Sequence, residues 1–550
     1  MQTFEFSSQR SPVYTRGGMV GASQPLAVAT GLELLRKGGN AADAAVAAAA
    51  ALNVCEPFST GLGGDCFALF YSAQTGRISA MNGSGRAPGA LTLERVRSEG
   101  FSAGLPPRHP YTVTVPGACA GWSDLIERHG KLSLREVLQP AIQLAEEGFP
   151  VAPLTADNWA DLAQEALKPE LGGQELTIEG RAPRAGEVFR NPGLAEALTR
   201  IAEGGKQAFY TGELARLIVQ AVRAAEGCLD ESDLAAHQTT WETPIHTSYR
   251  GVNIWECPPN GQGLAALLAL NLLEGFDLPD LPPLSPERLH LQIEAMRLAF
   301  ADAHAFVADP AYSSIPLEGL LSKDYASHRR SLIDPNRTSL QHPHGAPQAA
   351  SDTVYLSVVD GQGNACSFIN SLYMGFGTGI VPAGCGFALQ NRGHNFSLDP
   401  DSPNALAPGK RPYHTIIPAM ATLPASKPLP EDEGAEQLFA CFGVMGGFMQ
   451  PQGHMQVTCA LIDDRLDPQS ALDRPRFCIL DGRSGGSVAL EEGLPVQAMS
   501  QLAEMGHPIV PVSGSRRFVF GRGQIIQRDP HSGVLCGGSD PRADGCVMTL

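Results

Sequence analysis

A chain of 550 residues with 43% hydrophobic and 18% charged side chains has the composition of a globular protein able to bury a large core. Its formal charge of −17 argues against a nucleic-acid partner, because phosphate neutralisation needs clustered Lys and Arg, and it disfavours an anionic membrane surface. No run reaches membrane-spanning length, the first ten residues lack a signal-like apolar core, and the twelve cysteines form no Cys-x-x-Cys pair. A cytoplasmic protein with reduced, mostly buried thiols is therefore the expectation.

In chain order, Ser23-Gln24-Pro25 opens a helix over 26–35, which Lys37-Gly38-Gly39-Asn40 stops. A second helix is predicted over 41–54, so rich in alanine that a neighbouring backbone should pack close to it. The Gly-rich stretch ending Gly63-Gly64-Asp65 follows a helix and lacks the Gly-Lys-Ser/Thr ending of a phosphate cradle, so it reads as backbone packing ahead of a strand over 66–71. Further helices are expected at 118–129, 133–147, 192–203, 212–225, 261–275 and 285–308. The polar, Pro- and Ala-rich segment 341–350 reads as an exposed loop. After it, Thr353 starts a β-branched run that turns at Asp360-Gly361-Gln362-Gly363 into a second run, a β-hairpin over 353–370. A buried strand at 439–443, Gly446-Gly447, an amphipathic run at 454–462 and strands at 487–490 and 517–527 complete the chain. No Pro/Ser-rich linker divides it, which predicts one large mixed domain.

The chemistry is less plain. A serine nucleophile elbow is not expected, and His-Glu-x-x-His and Gly-x-Gly-x-x-Gly are absent. His342 and His344 stand two apart with no Cys or acidic partner nearby, so neither a metal nor another cofactor is expected. On the local pattern, Thr353 reads as the first residue of a strand. The alternative is a self-activating nucleophile placed between a loose loop and that strand. Gly446-Gly447 on its own reads as a simple strand-end turn.

Thr353-Val354-Tyr355-Leu356-Ser357-Val358-Val359-Asp360, with Gly363-Asn364-Ala365 and Phe376-Gly377-Thr378-Gly379-Ile380-Val381, resembles the small-subunit start of γ-glutamyltransferases. Ser23-Gln24-Pro25-Leu26-Ala27, Gly38-Gly39-Asn40-Ala41-Ala42-Asp43-Ala44-Ala45, Thr114-Val115-Pro116-Gly117, Phe300-Ala301-Asp302 and Ser539-Asp540-Pro541-Arg542 resemble the same family in the same order. The resemblance implies an α+β, four-layer αββα N-terminal-nucleophile fold, an antiparallel sheet sandwich between helical layers. It implies a proenzyme cut between Asp352 and Thr353 into a 1–352 large subunit and a 353–550 small subunit. These would pair as a heterodimer, alone or as a dimer of such pairs. It also implies that Thr353 supplies both nucleophile and α-amine base. That amine has a reference pKa near 8 against about 10.4 for lysine, so it is neutral several hundred-fold more often at pH 7. Ser371 matches the second hydroxyl residue, and Gly446-Gly447 the oxyanion-binding pair.

The substrate clamp departs from the family pattern. Ser84, with Arg86 two residues on, stands where the carboxylate-holding arginine belongs, and Asn395 replaces the aspartate that grips the α-ammonium. Tyr373 replaces an asparagine, Arg392 a glutamine, and His414-Thr415 a serine pair; the loop over 396–412 is short, without room for a lid. This set resembles a lidless subgroup that includes acylases and small-amide hydrolases. The expectation is an autoprocessing threonine amidohydrolase or acyltransferase acting on a small-molecule amide, γ-glutamyl amides such as glutathione first. The alternatives are another small acid amide, such as oxamate or a glutaryl-amide, and a non-catalytic binding protein.

Overall fold

The computed structural model describes residues 10–340, 352–424 and 435–550. The loop expected at 341–350 lies outside them. Helix Pro25–Arg36 begins on a proline, and Ala41–Cys55 begins on a capping box. There the Asn40 side chain accepts the Ala42 N–H at 2.9 Å, while the Asp43 carboxylate accepts the Asn40 N–H at 2.8 Å. Every residue of Ala41–Cys55 is buried, because the helix is wedged among Pro25–Arg36, Leu134–Glu147 and the hairpin of Asp352–Val359 and Ala365–Tyr373. Alanine makes that close packing possible, as the composition predicts.

Two seven-stranded antiparallel sheets form the centre. One runs Cys546–Thr549, Met19–Ala22, Asp352–Val359, Ala365–Tyr373, Asp65–Ser72, Arg77–Gly83, Thr240–Glu242. The other runs Val13–Thr15, Leu535–Ser539, Arg522–Arg528, Glu436–Met445, Ala419–Pro424, Val252–Glu256, Ile245–Tyr249. Their inner faces meet where Ser357 Oγ donates to the Cys441 carbonyl at 3.2 Å and Ser367 Oγ to the Phe442 carbonyl at 3.4 Å. Pro25–Arg36 and Ala41–Cys55 cover the first sheet. Gly263–Leu273 and Met449–Ile462 cover the second, with Pro286–Phe306 stacked behind. The result is four layers, αββα, and each sheet draws strands from both sides of residue 352.

Asp360 holds the hairpin turn by accepting the Gln362 and Asn364 N–H groups at 2.9 and 3.0 Å, and it also takes the Ala41 N–H at 3.1 Å. The ladder is regular from Val359↔Ala365 to Val354↔Asn370. It then shifts before Asp352↔Tyr373: Thr353 alone stands opposite Ser371 and Leu372, so the bulged strand is the one that carries Ser371. Two expectations need correction. Helix Met449–Ile462 starts five residues before the predicted run and is buried on nearly all sides rather than amphipathic; its Gln450, Gln452 and His454 each make an internal hydrogen bond, although Gln450 Nε2 and His454 Nε2 have no partner among the described residues. Of the strand expected over 517–527, the first part is a 3-10 turn, Gly514–Phe520, because Arg517 bends in to meet Glu491 at 2.7 Å; the strand itself is Arg522–Arg528.

Candidate active site

The bulge and the end of the neighbouring strand bring two hydroxyls together: Thr353 Oγ1 lies 3.2 Å from Ser371 Oγ, both fully buried. Tyr373, with φ of +81°, bends the chain so that its own N–H returns to Ser371 Oγ at 2.8 Å. Arg392, in the short turn Arg392–Asn395, reaches the same oxygen with Nη2 at 3.1 Å and Thr415 Oγ1 with Nη1 at 2.6 Å. Its guanidinium carbon sits 4.4 Å over the Tyr373 ring, a cation–π contact. Arg392 Nε is buried with no hydrogen-bond partner among the described residues. Burial pulls this guanidinium down to about 10 against the opposing pull of Asp65, which leaves it charged at neutral pH.

Asp65 is the ladder partner of Ser371 and so shares its face of the sheet. Its carboxylate accepts the Gly85 and Gly117 N–H groups at 3.0 and 3.1 Å, Gln390 Nε2 at 2.9 Å and His414 Nε2 at 3.0 Å. Burial alone would raise its pKa, but the His414 and Gln390 bonds and the Arg392 charge prevail and hold it below the usual carboxylate range. Burial, reinforced by the Arg392 charge, pushes His414 down to about 3 despite Asp65. His414 is thus a neutral imidazole that donates from Nε2 to an ionised Asp65 and accepts the Ile416 N–H on Nδ1 at 3.4 Å.

Gly446 and Gly447, with φ of +128° and +57°, join strand Glu436–Met445 to helix Met449–Ile462 in a conformation that side chains disfavour. Gln262 ties this turn to the cluster, its Nε2 donating to the Gly447 carbonyl at 2.9 Å and the Thr415 carbonyl at 2.7 Å. Thr353, Ser371, Tyr373, Arg392, Thr415 and Gly447 therefore form one connected network.

The remaining expected residues lie around it. Asn395 Nδ2 donates to the Tyr413 carbonyl at 3.0 Å. Ser84 Oγ donates to Asn82 Oδ1 at 2.6 Å and receives Asn260 Nδ2 at 3.3 Å, one residue from the Gly85 amide that binds Asp65. Arg86 turns away to Asp309 at 3.2 Å and the Gly409 carbonyl at 3.0 Å, so it does not stand in for the missing arginine. Asp352 is placed by its backbone at the strand start; its side chain lies outside the described set. The loop over 396–412 is pinned, with Phe396, Leu398 and Leu406 packed on Leu91, Val96 and Tyr111. Sequence reading passed over Asp65, Asn82, Asn260, Gln262 and Gln390. Only Asp65 carried a signal, a carboxylate directly after Gly-Gly at the head of an apolar strand.

His342 and His344 lie outside the described residues. His290, Glu294 and His507 do cluster, but His290 Nδ1 and His507 Nε2 are 2.8 Å apart, a hydrogen bond, where two nitrogens on a tetrahedral zinc stand roughly 3.3 Å apart. The Arg297 guanidinium, 3.4 Å from Glu294, already supplies the positive charge there. A Gly-x-Ser-x-Gly spacing does occur, at Gly482-Arg483-Ser484-Gly485-Gly486. It joins strands Phe477–Ile479 and Val488–Glu491 rather than a strand and a helix, so it is no nucleophile elbow.

The chain is 37% identical over 543 residues to the glutathione hydrolase-like YwrD proenzyme of Bacillus subtilis, covering 97% of this chain and 98% of that one. It is 34% identical over 539 residues to the oxamate amidohydrolase proenzyme of Klebsiella pneumoniae, covering 96% and 98%. The crystal structure of cephalosporin acylase from Bacillus halodurans superposes with a TM-score of 0.91 at 46% identity, over 100% of this chain and 99% of that one. Residues 27–550 match the gamma-glutamyltranspeptidase family model. The chain belongs to that family, as an amidohydrolase or acylase on its N-terminal-nucleophile fold.

Proposed function

We propose that the protein is a threonine amidohydrolase that activates itself by cleaving the Asp352–Thr353 bond, leaving a 1–352 large subunit and a 353–550 small one. The observation that carries this reading is the 3.2 Å approach of Thr353 Oγ1 to Ser371 Oγ at a strand bulge, linked through Arg392, Thr415 and Gln262 to the Gly446-Gly447 turn. In the precursor, Thr353 Oγ1 attacks the Asp352 carbonyl carbon. The C–N bond breaks as the hydroxyl proton passes to the departing nitrogen, and water hydrolyses the resulting ester. In turnover, the freed α-amine accepts the hydroxyl proton as Oγ1 attacks the substrate amide, and passes it to the leaving amine. Water then releases the acid and restores the hydroxyl. The amides of Gly446 and Gly447 meet the oxyanion, where one donor is worth about 3 kcal/mol. Thr353→Ala should leave a single 58.1 kDa chain under denaturing mass analysis and no amidase activity; fragments at the wild-type rate would refute the assignment.

For the acyl group, Arg392 supports an anionic chain, because its buried Nε lacks a partner beside the nucleophile. Among the described residues, an ammonium grip has only a neutral acceptor beside this site, Asn395 Oδ1, which is buried without a hydrogen-bond partner. Asn395 is neutral, and Asp65 already accepts four hydrogen bonds. Losing a hydrogen bond to a charged group costs about 1.5–3 kcal/mol. A glutaryl-type or oxamate-like amide is thus favoured over γ-glutamyl amides such as glutathione, the second reading. Glutaryl and γ-glutamyl anilides assayed side by side should show the higher kcat/KM for glutaryl; a γ-glutamyl preference would restore the glutathione reading.

A further inference from the structure

Gly446 and Gly447 owe their backbone angles to the freedom of glycine, and the same freedom lets the turn reorient unless its peptide planes are held. One plane is held inside the helix end, where the Met449 N–H donates to the Gly446 carbonyl at 2.9 Å. The next carries the Gly447 carbonyl, which accepts the Gln450 N–H at 3.2 Å and, from outside the helix, Gln262 Nε2 at 2.9 Å. The same amide nitrogen donates to the Thr415 carbonyl at 2.7 Å, and the Tyr413 hydroxyl donates to Gln262 Oε1 at 3.2 Å. Carbonyls only accept, so these two fix which end of the buried Gln262 amide is the nitrogen. We propose that Gln262 is a positioning residue that holds the Gly446-Gly447 turn in register with the nucleophile. The inference rests on Thr353 being the nucleophile and on this turn receiving the oxyanion.

Of the two carbonyls, that of Thr415 is the anchored end. Its segment is fixed without the side chain of Gln262. The His414 N–H donates to the Asn260 carbonyl at 2.9 Å, the Gln262 N–H to the His414 carbonyl at 2.9 Å, and the Ile417 N–H to Gln450 Oε1 at 2.9 Å. Thr415 also meets Arg392, which reaches Ser371 beside Thr353. Gly447 is the held end, and one planar amide sets its distance from that frame. With the planes on both sides of Gly447 held, its N–H points in one direction. Donors fixed before the reaction stabilise developing charge without reorganising, and a misplacement of about 1 Å can cost roughly a hundredfold in rate. A residue that sets the donors without touching the acyl chain acts on kcat and leaves KM alone.

The test uses self-cleaved enzyme and whichever of the two anilides turns over faster, with circular dichroism confirming the fold. Gln262→Met keeps the length of the side chain and removes both donated hydrogen bonds. It should lower kcat by about a hundredfold with KM changed by less than about threefold. Tyr413→Phe keeps the ring and removes only the hydroxyl that meets Oε1. It should lower kcat about three- to tenfold, and it carries the test if Gln262→Met does not mature. Wild-type kcat in either variant, or a loss carried by KM, overturns the proposal. Gly446→Ala tests the underlying reading by itself, since a φ of +128° is closed to alanine and the turn must change shape. Wild-type kcat in Gly446→Ala would remove the oxyanion role from the turn, whereas a slow Gly446→Ala beside a fully active Gln262→Met would remove only Gln262. Thr353→Ala tests the nucleophile separately, so the failures are distinguishable.

Discussion

Asn395 and Arg392 sit a few residues apart in one short turn, and on the proposed reading they would set the selectivity of the site. Asn395 offers an amide where a carboxylate would grip an α-ammonium. Asn395→Asp should therefore raise the γ-glutamyl to glutaryl ratio of kcat/KM by roughly ten- to a hundredfold, measured with the same two anilides; an unchanged ratio would place the α-amino subsite elsewhere. Resemblance singled out Thr353, Ser371 and the Gly446-Gly447 turn in advance, and the fold gathers Thr353, Ser371 and Gly447 into one network. Asp65 was not legible in advance, because its partners Gly85, Gly117, Gln390 and His414 converge only through the fold. Arg86 misled for the converse reason: proximity in sequence to Ser84 says nothing of Asp309, more than two hundred positions on.

Elements with strong local signals were readable from the chain. Ala118–His129 and Leu134–Glu147 follow their periodicity and caps, the latter with Ser133 accepting the Glu136 N–H. The Gly-rich loop does serve backbone packing: a Cβ on Gly64 would stand 2.3 Å from the Ser371 carbonyl oxygen, so bare backbone lets the loop brace the strand carrying Ser371. Short strands such as Met19–Ala22 and Thr240–Glu242 gave little local signal, since pairing with distant partners makes them strands. The run over 454–462 deceived because a polar side chain inside a core looks, in one dimension, like one facing water.

Over the whole molecule, buried neutral histidines make stability depend on pH. His414 and His507 are both pushed to about 3 by burial and neighbouring guanidinium charge. Unfolded, each titrates near 6.5. Below that value the unfolded chain takes up protons that the native state refuses. Stability is therefore fully present above about pH 6.5 and is lost as pH falls toward 3, by up to about 1.4 kcal/mol per pH unit for each histidine. Asp65, held below the usual range, adds a further loss at pH values under about 4. Thermal midpoints should fall clearly between pH 7 and pH 5, and His507→Gln should reduce the fall; equal midpoints at both values would contradict this account.

The strand Asp352–Val359 is flanked by Met19–Ala22 on one side and Ala365–Tyr373 on the other. Chain ends ordinarily fray, and a catalytic amine on a frayed end would wander by several ångströms. In the proposed mature form, the new terminus would instead be born against the finished strand Ala365–Tyr373, three residues ahead of Leu356, where Met19–Ala22 joins the other edge. The amine would need no later ordering step, and folding itself, completed before the cut, would supply the preorganisation that many enzymes obtain only when substrate binds.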